Sequence, residues 1–520
     1  MNVMRIRIAL RADASAQSGI GHVQRSLALG QALRACGAEV CLVTRRLDVN
    51  TAALTTVTQI DRIELASPAK PASIQSDVAM PIASEWPGWN VDATETINAL
   101  RQWHPDVVVA DHYCIDTSWH REVAAGLGAR LAAIDDLADR QLDVDWLIDH
   151  NQSADHRAKY AGHLRPDTKL LCGPRYALLA PTYATAARYQ FRPNVASIGI
   201  FLGGTDPAGL SFDALVACRD VAGFAGNIEV VTTRANPRLN ELATTCRRWP
   251  STTLTLDAPN LAAFFARHDL QIGAGGGASW ERCCIGAPTL ALVGASNQRL
   301  VVSELLRLGV VAALPSVESP TCTSIGLTVS RLLRSAEHRA ELALRSQKLV
   351  DGLGARRVAL HLASSMLSLR NVTAGDAALI HRWRNDAATR AMSHDGEEIE
   401  WETHQLWLAD VLADPSRLLL IASIGDIQIG VIRFDRQSGG AAVVSLFLDP
   451  TLHGLGLGSA MLLAGERKAC GQASCPTGFE ATVIGGNTNS LRLFQSAGYR
   501  QDGARWTKTV PCTSQGETTP

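Results

Sequence analysis

Val107, Val108 and Val109 stand in an unbroken row between Asp106 and Ala110, and this run constrains the chain more than any other feature. β-Branched side chains favour extended backbone, and a segment with no polar alternation has no face to offer to water. It reads as a strand buried on both faces, which is how strands of a parallel sheet lie between layers of helix. Such a strand needs covering helices, and the surrounding sequence supplies them. Residues 5–10, 39–44, 130–134 and 146–148 read as further strands, while 23–34 and 115–127 carry helical periodicity. The pattern restarts at residue 197. Strands at 197–202, 227–232, 270–272 and 289–293 alternate with helical stretches at 208–221 and 260–266, one starting at Ser279, and one at 298–308. The fold class expected is α/β, with two Rossmann-like halves over residues 1–185 and 186–360, joined near 181–193.

The chain changes character near residue 367. Strands at 418–423, 428–433 and 442–448 are separated only by short turns, an antiparallel meander. Helical stretches at 374–385 and 401–413 precede it. A Gly-rich loop, a helix, a strand at 479–484 and a helix at 490–496 follow. This predicts a further α/β domain with a mixed sheet over 366–510, and a disordered tail at 511–520. With 520 residues, 46% of them hydrophobic, the chain can fill several cores. A net charge of −1 does not advertise nucleic acid or an anionic membrane as partner, and it leaves room for a locally basic phosphate pocket. No apolar run approaches the roughly 18 residues of a membrane span, and the first ten residues lack the core of a signal peptide. Twelve cysteines without a CxxC pair read as reduced thiols. A cytoplasmic protein is expected; oligomeric state is not legible.

Two glycine loops carry the chemistry. After the first strand come Asp13, Ser15, Gly19, Gly21, His22 and Arg25. Glycines at a strand-to-helix turn let backbone approach a ligand, and the helix start offers free N–H groups to an anion. His22 opens that helix, where an imidazole can take a proton from water near neutral pH. Asp13 is a candidate to orient it or to bind a sugar hydroxyl. The counterpart in the second half is Gly273 followed by Gly275, Gly276, Gly277, Ser279 and Glu281. Consecutive glycines there form an anion cradle, with Glu281 in reach of ribose hydroxyls. Ser296, Asn297 and Gln298 follow the strand at 289–293; these amides can read sugar hydroxyls, or cap the next helix. Asp143 and Asp145 form a DxD pair, but they adjoin a strand rather than a glycine loop, and no metal is expected.

The ordered strings RADAS…GIGHVQR, DHYCID (111–116), IDDLADR (134–140), GPRYALLAP (173–181), GGTDP (203–207) and GAGGGASWERCC (273–284) resemble the UDP-sugar hydrolases of pseudaminic acid biosynthesis. Those enzymes are relatives of the lipid-II-forming N-acetylglucosaminyltransferase and have the GT-B fold. The resemblance covers roughly residues 5–350. It implies metal-independent hydrolysis of UDP-2,4-diacetamido-2,4,6-trideoxy-β-L-altropyranose at its anomeric carbon, with His22 catalytic, the UDP loop at 275–281, and Tyr113 and Asn297 facing the sugar.

In the C-terminal part, a strand leads into His453, Gly454, Leu455, Gly456, Leu457, Gly458, Ser459 and Ala460. Glycines at alternate positions before a helix let successive N–H groups wrap a pyrophosphate. With residues 480–490, 494–499 and HRWRND (381–386), this stretch resembles a GNAT-type N-acetyltransferase. The resemblance implies acetyl-CoA as cosubstrate, its pyrophosphate on Leu455, Gly456, Gly458, Ser459 and Ala460, and Asn487 near the pantetheine arm. Phe494 stands where many members carry the tyrosine that reprotonates the thiolate. Tyr499, another group or solvent is left to act as acid, and His394, Glu397 and Glu398 are candidate bases. The expectation is a bifunctional nucleotide-sugar enzyme. The alternative is a GT-B glycosyltransferase with a non-catalytic acetyl-CoA-binding module.

Overall fold

The computed structural model describes residues 5–15, 18–67, 86–296, 298–314, 320–393, 395–472 and 475–510. The tail at 511–520, Asn297 and His394, all named above, lie outside the described residues. The chain forms two compact units, one of Arg7–Arg34 with Glu39–Ala359, the other mostly the chain from Leu360 onward.

In the first unit the order is β1 (Arg7–Ala12), α1 (Gly21–Ala35), β2 (Glu39–Arg45), α2 (Ala52–Thr58), β3 (Asp61–Leu65), α3 (Trp89–Leu100), β4 (Val107–Asp111), α4 (Thr117–Leu127), β5 (Arg130–Ile134), β6 (Trp146–Asp149), α5 (His156–Lys159), β7 (Lys169–Cys172) and α6 (Thr182–Thr185). All strands run parallel, in the order β3-β2-β1-β4-β5-β6-β7. The valine run is β4, at the centre, each valine at most 2% exposed. Burial of one such side chain stabilises by about 1.5–3 kcal/mol, which outweighs any intrinsic strand propensity and fixes β4 in the interior.

The second half of this unit repeats the theme with β8 (Ser197–Phe201), α7 (Leu210–Val216), β9 (Asn227–Thr232), α8 (Leu239–Cys246), β10 (Thr252–Leu256), α9 (Ala262–Arg267), β11 (Leu270–Ala274), α10 (Ala278–Ile285), β12 (Thr289–Leu292), α11 (Gln298–Arg307) and β13 (Ala312–Ala313). Three helices follow, α12 (Cys322–Arg334), α13 (Ala336–Leu349) and α14 (Gly354–Leu362). Its strand order is β10-β9-β8-β11-β12-β13, again parallel. The two expected Rossmann-like halves are therefore present. In each, strand order reverses between the first and fourth strands, and ligands of open α/β sheets bind at that switch point. The loops after β1 and β4 meet at one switch point, those after β8 and β11 at the other. Both glycine loops singled out from sequence sit there.

The other unit contains β14 (Leu367–Asn371), α15 (Ala377–Arg384), α16 (Ala387–Arg390), α17 (Trp401–Ala413), β15 (Arg417–Ile424), β16 (Ile427–Arg436), β17 (Ala442–Leu448), α18 (Leu457–Cys470), β18 (Gly478–Thr482), α19 (Thr488–Ser496), β19 (Arg500–Asp502) and β20 (Arg505–Thr509). The sheet is mixed: β14 to β17 are antiparallel neighbours, and β17 pairs with β18 in parallel. That parallel pairing spans only Ala442↔Phe479 and Val443↔Glu480, so the two strands part beyond Val443.

The least expected core element of the first unit is ionic. Arg11, in β1, is fully buried. Its guanidinium donates to Asp13 at 2.5 and 2.8 Å and to Asp92 at 2.5 and 3.2 Å. Arg45 Nη2 and Trp119 Nε1 also donate to Asp92, at 2.6 and 2.9 Å. Burial opposes the charge on Arg11, but the two carboxylates win and hold its pKa well above the ordinary value. Replacing Asp92 by Asn would leave two arginines short of a buried counter-charge. Asp92→Asn is expected to destabilise this unit by about 3–5 kcal/mol, read as a lowered urea midpoint; an unchanged midpoint would contradict the network's role.

Candidate functional site

The site grows from the first switch point. Gly19 has φ +72°, which turns the chain after Ser15, and Gly21 begins α1 with open space where a side chain would stand. His22 thereby projects toward the end of β4. The carboxylate that meets it is Asp111, not Asp13. His22 Nδ1 lies 2.6 Å from Asp111 Oδ1. Arg25, one turn along α1, donates to both oxygens of the same carboxylate at 2.6 Å. Asp111 is fully buried and the His22 side chain is 11% exposed. Burial alone would raise the Asp111 pKa, but Arg25 and His22 pull it well below the usual carboxylate range. With Nδ1 engaged, Nε2 of His22 makes no hydrogen bond to any described residue. Asp13, a candidate orienter, is instead spent in the buried ionic network, where it also accepts from the Arg45 N–H at 2.7 Å.

Tyr113 packs edge-on against His22, ring centroids 4.7 Å apart. Its hydroxyl lies in hydrogen-bonding reach of Asp136. Asp136 Oδ2 accepts from Asn151 Nδ2 at 3.0 Å, and Asn151 Oδ1 accepts from Trp280 Nε1 at 3.2 Å. Trp280 belongs to α10, directly after the glycine loop of the second half. One amide thus joins the histidine side of the site to the candidate nucleotide side.

In that second loop, a side chain at Gly275 would strike Val302 at 2.3 Å, whereas Gly277 faces open space. The N–H groups of Gly276 and Gly277 donate to no described residue, so they are available to an anion. Gln298 braces the loop from the side, its Oε1 accepting from the Gly294 N–H at 2.9 Å. Ser279 is buried inside the loop: its hydroxyl donates to the Ala274 carbonyl at 3.2 Å and accepts from Arg282 at 3.0 Å. Glu281 shares a hydrogen bond with the Tyr183 hydroxyl, and burial raises its pKa. The DxD carboxylates are taken by arginines: Asp143 by Arg121 and Arg165 at 2.7 and 3.0 Å, Asp145 by Arg165 at 3.3 Å. Among the described residues no group of three or more His, Cys, Asp or Glu is placed to hold a metal ion, and no helix is long and apolar enough to cross a membrane.

In the other unit, Gly454 and Gly456 have φ +77° and +72° and deliver the chain into α18. No side chain caps that helix and its first turn holds no acid, so the N–H groups of Leu457, Gly458 and Ser459 are unencumbered, and that of Ala460 starts the helical ladder. Gly458 leaves no room for a side chain, since Leu493 would lie 2.7 Å from it. Leu455 is buried. Asn487 caps α19, its Oδ1 accepting from the Ser490 N–H at 3.0 Å. The exposed helix start beside the parted β17 and β18 suits a pyrophosphate with an extended arm. Phe494 packs on Tyr499 at 5.0 Å. The Tyr499 hydroxyl donates to Glu466 at 2.8 Å, and Lys508 holds the other Glu466 oxygen at 2.5 Å. Burial and then Glu466 raise the Tyr499 pKa far above its ordinary value. Glu397 and Glu398 are exposed in the loop before α17.

Residues 366–500 match the family model of the acetyltransferase (GNAT) domain, and this unit is a GNAT domain. The N-terminal part has relatives in nucleotide-sugar biosynthesis. The spore coat polysaccharide biosynthesis protein SpsG of Bacillus subtilis is 27% identical over 198 residues, 38% of this chain and 58% of that protein. The UDP-2,4-diacetamido-2,4,6-trideoxy-beta-L-altropyranose hydrolase of Campylobacter jejuni is 22% identical over 307 residues, 58% of this chain and 97% of that protein. Among solved structures, MurG of Acinetobacter baumannii aligns over 68% of this chain and 98% of its own, at 12% identity and a TM-score of 0.48.

Sequence reasoning assigned no role to Asp111, Asp136, His150, Asn151 or Trp280. The available signal was position: the first four lie at or just beyond the carboxyl ends of β4, β5 and β6. Two histidines here also set a pH response. Burial pushes His112 and His150 down to about 4 from the ordinary 6.5. Their folded pKa lies below the unfolded one, so the stability they support is complete above pH 6.5 and declines as pH falls toward 4. The urea midpoint of this unit should fall across that window, and His112→Gln should reduce the slope. An unaltered slope would show that His112 is not held neutral.

Proposed function

We propose that the N-terminal unit hydrolyses a UDP-sugar, with UDP-2,4-diacetamido-2,4,6-trideoxy-β-L-altropyranose as substrate, within pseudaminic acid biosynthesis. The observation that carries this reading is His22, held through Nδ1 by a buried carboxylate at a sheet's switch point, with Nε2 unengaged. Hydrolysis forms a bond from a water oxygen to the anomeric carbon and breaks the bond from that carbon to the diphosphate. Nε2 of His22 takes the water's proton, and Asp111 stabilises the imidazolium that results. The departing UDP carries away the electron pair, received by the N–H groups of Gly276 and Gly277 and the dipole of α10. Gly275 keeps the loop close, Glu281 serves the ribose, and Tyr113 with Asn297 borders the sugar. Since UDP leaves readily, positioning of water suffices and no metal is invoked.

His22→Ala is expected to keep its UDP affinity and lose about 100- to 10,000-fold in turnover, the usual worth of a general base. Calorimetry with UDP and NMR of free sugar read the two quantities; near-wild-type turnover overturns the assignment.

The GNAT domain is proposed to N-acetylate the preceding 4-amino UDP-sugar. Acetyl-CoA supplies an activated acyl group, and residues 455–460 hold its pyrophosphate, with Asn487 near the pantetheine. Phe494 has no proton to give and the Tyr499 hydroxyl is committed to Glu466, so solvent protonates the departing thiolate. Fusion raises the local concentration of the intermediate at the hydrolase. These same two residues favour a second reading, a domain that binds acetyl-CoA without transferring its acyl group. In the full chain, Tyr499→Phe is expected to leave acetyl transfer within about twofold of wild type, assayed as thiol release with acetyl-CoA and a 4-amino UDP-sugar. A large loss would make Tyr499 the acid, and CoA binding with no transfer by wild type would support the second reading.

A further inference from the structure

β4, β5 and β6 end in register, and that register builds a feature the hydrolytic step does not use. Ala110 pairs with Ala133, and Ile134 with Ile148. Tyr113, Asp136 and His150 therefore leave three adjacent strands at matching positions, and stand in one row along the carboxyl edge. Asp136 Oδ1 is buried and makes no hydrogen bond to any described residue, with the Tyr113 hydroxyl in reach of the carboxylate, while Oδ2 accepts from Asn151. His150 Nδ1 is likewise buried without a partner. Trp280 closes the row from the other half, its ring 6.2 Å from that of His150. An unpaired buried carboxylate oxygen beside an unpaired buried ring nitrogen is costly unless something else fills both valences.

We propose that Asp136 and His150 form an amide-recognition subsite that reads an acetamido group of the sugar, Asp136 Oδ1 accepting its N–H and His150 Nδ1–H donating to its carbonyl. The inference rests on the UDP-sugar reading above and adds what selects the sugar. The protonation states agree with it. Arg25, His150 and His22 overcome the burial of Asp136 and keep it ionised, while burial and Arg25 keep His150 neutral, with one ring N–H to give. A secondary amide offers one donor and one acceptor side by side, and its methyl group lies against the aromatic rings of Tyr113 and Trp280. A hydroxyl carries its donor and acceptor on one oxygen and has no methyl group, so it matches the spacing of the two groups and the aromatic rings less well than the amide does.

The test separates this subsite from the hydrolytic reading by measuring binding alone. In a His22→Ala background, calorimetry compares UDP, the UDP-diacetamido sugar, and two analogues with a hydroxyl in place of either acetamido group. One of the analogues should bind about 10- to 100-fold more weakly than the intact sugar. Adding Asp136→Ala, or separately His150→Phe, should collapse that ratio toward one while UDP affinity stays as it was. Preference retained in both double variants, or UDP affinity falling in step with sugar affinity, overturns the subsite. The hydrolase reading fails by a different result: wild type binding the intact sugar with this preference, yet releasing no UDP.

Discussion

A single buried carboxylate sets the geometry of the candidate hydrolytic site. Asp111 ends the central strand β4 with no exposure to water, and a charge there is tolerated only because His22 and Arg25 complete it. The dependence runs both ways. His22 owes its orientation and its unengaged Nε2 to Asp111, and Arg25 brings the first turns of α1 down onto the sheet edge. Both partners come from one helix, three residues apart, so the glycine turn after β1 and the register of β1 on β4 must each be right for the arrangement to exist.

The second half contributes by the same topology. Its glycine loop follows β11 at a switch point equivalent to that after β1 and β4, with Gly275 packed against Val302 and Gly277 open. The link between the two sides passes through Asn151, which uses its amide in both directions, toward Asp136 and toward Trp280. Carboxylates nearby serve different ends. Asp13 and Asp92 neutralise buried arginines, whereas Asp136 keeps an oxygen unpaired next to His150. Counting acidic residues in a loop does not distinguish these roles; counting their filled valences does.

In the GNAT domain the informative residues are those that are unavailable. Tyr499 packs against Phe494, but Glu466 holds its hydroxyl and Lys508 holds Glu466. The domain retains what a cosubstrate's pyrophosphate needs, an uncapped helix start after two left-handed glycines, and it has no tyrosine hydroxyl free to donate.

The sequence by itself determined the parallel α/β character, because an unbroken run of β-branched valines favours a doubly covered strand, and strands alternating with helices leave little choice of topology. It also marked both glycine loops, His22, and the mixed sheet after residue 367. Short strands escaped it: β3, β7, β10, β13, β14, β19 and β20 are too brief for a period to stand out, and tertiary pairing holds them. The partner of His22 was beyond its reach for a related reason. Asp13 is nine residues away and Asp111 eighty-nine, and local reasoning favours the near one. Only sheet register decides that β4 lies beside β1, putting Asp111 under His22 while Arg11 draws Asp13 into the core. Side-chain chemistry is written residue by residue, but which charges meet in the interior is settled by strand order, and strand order is a property of the whole sheet.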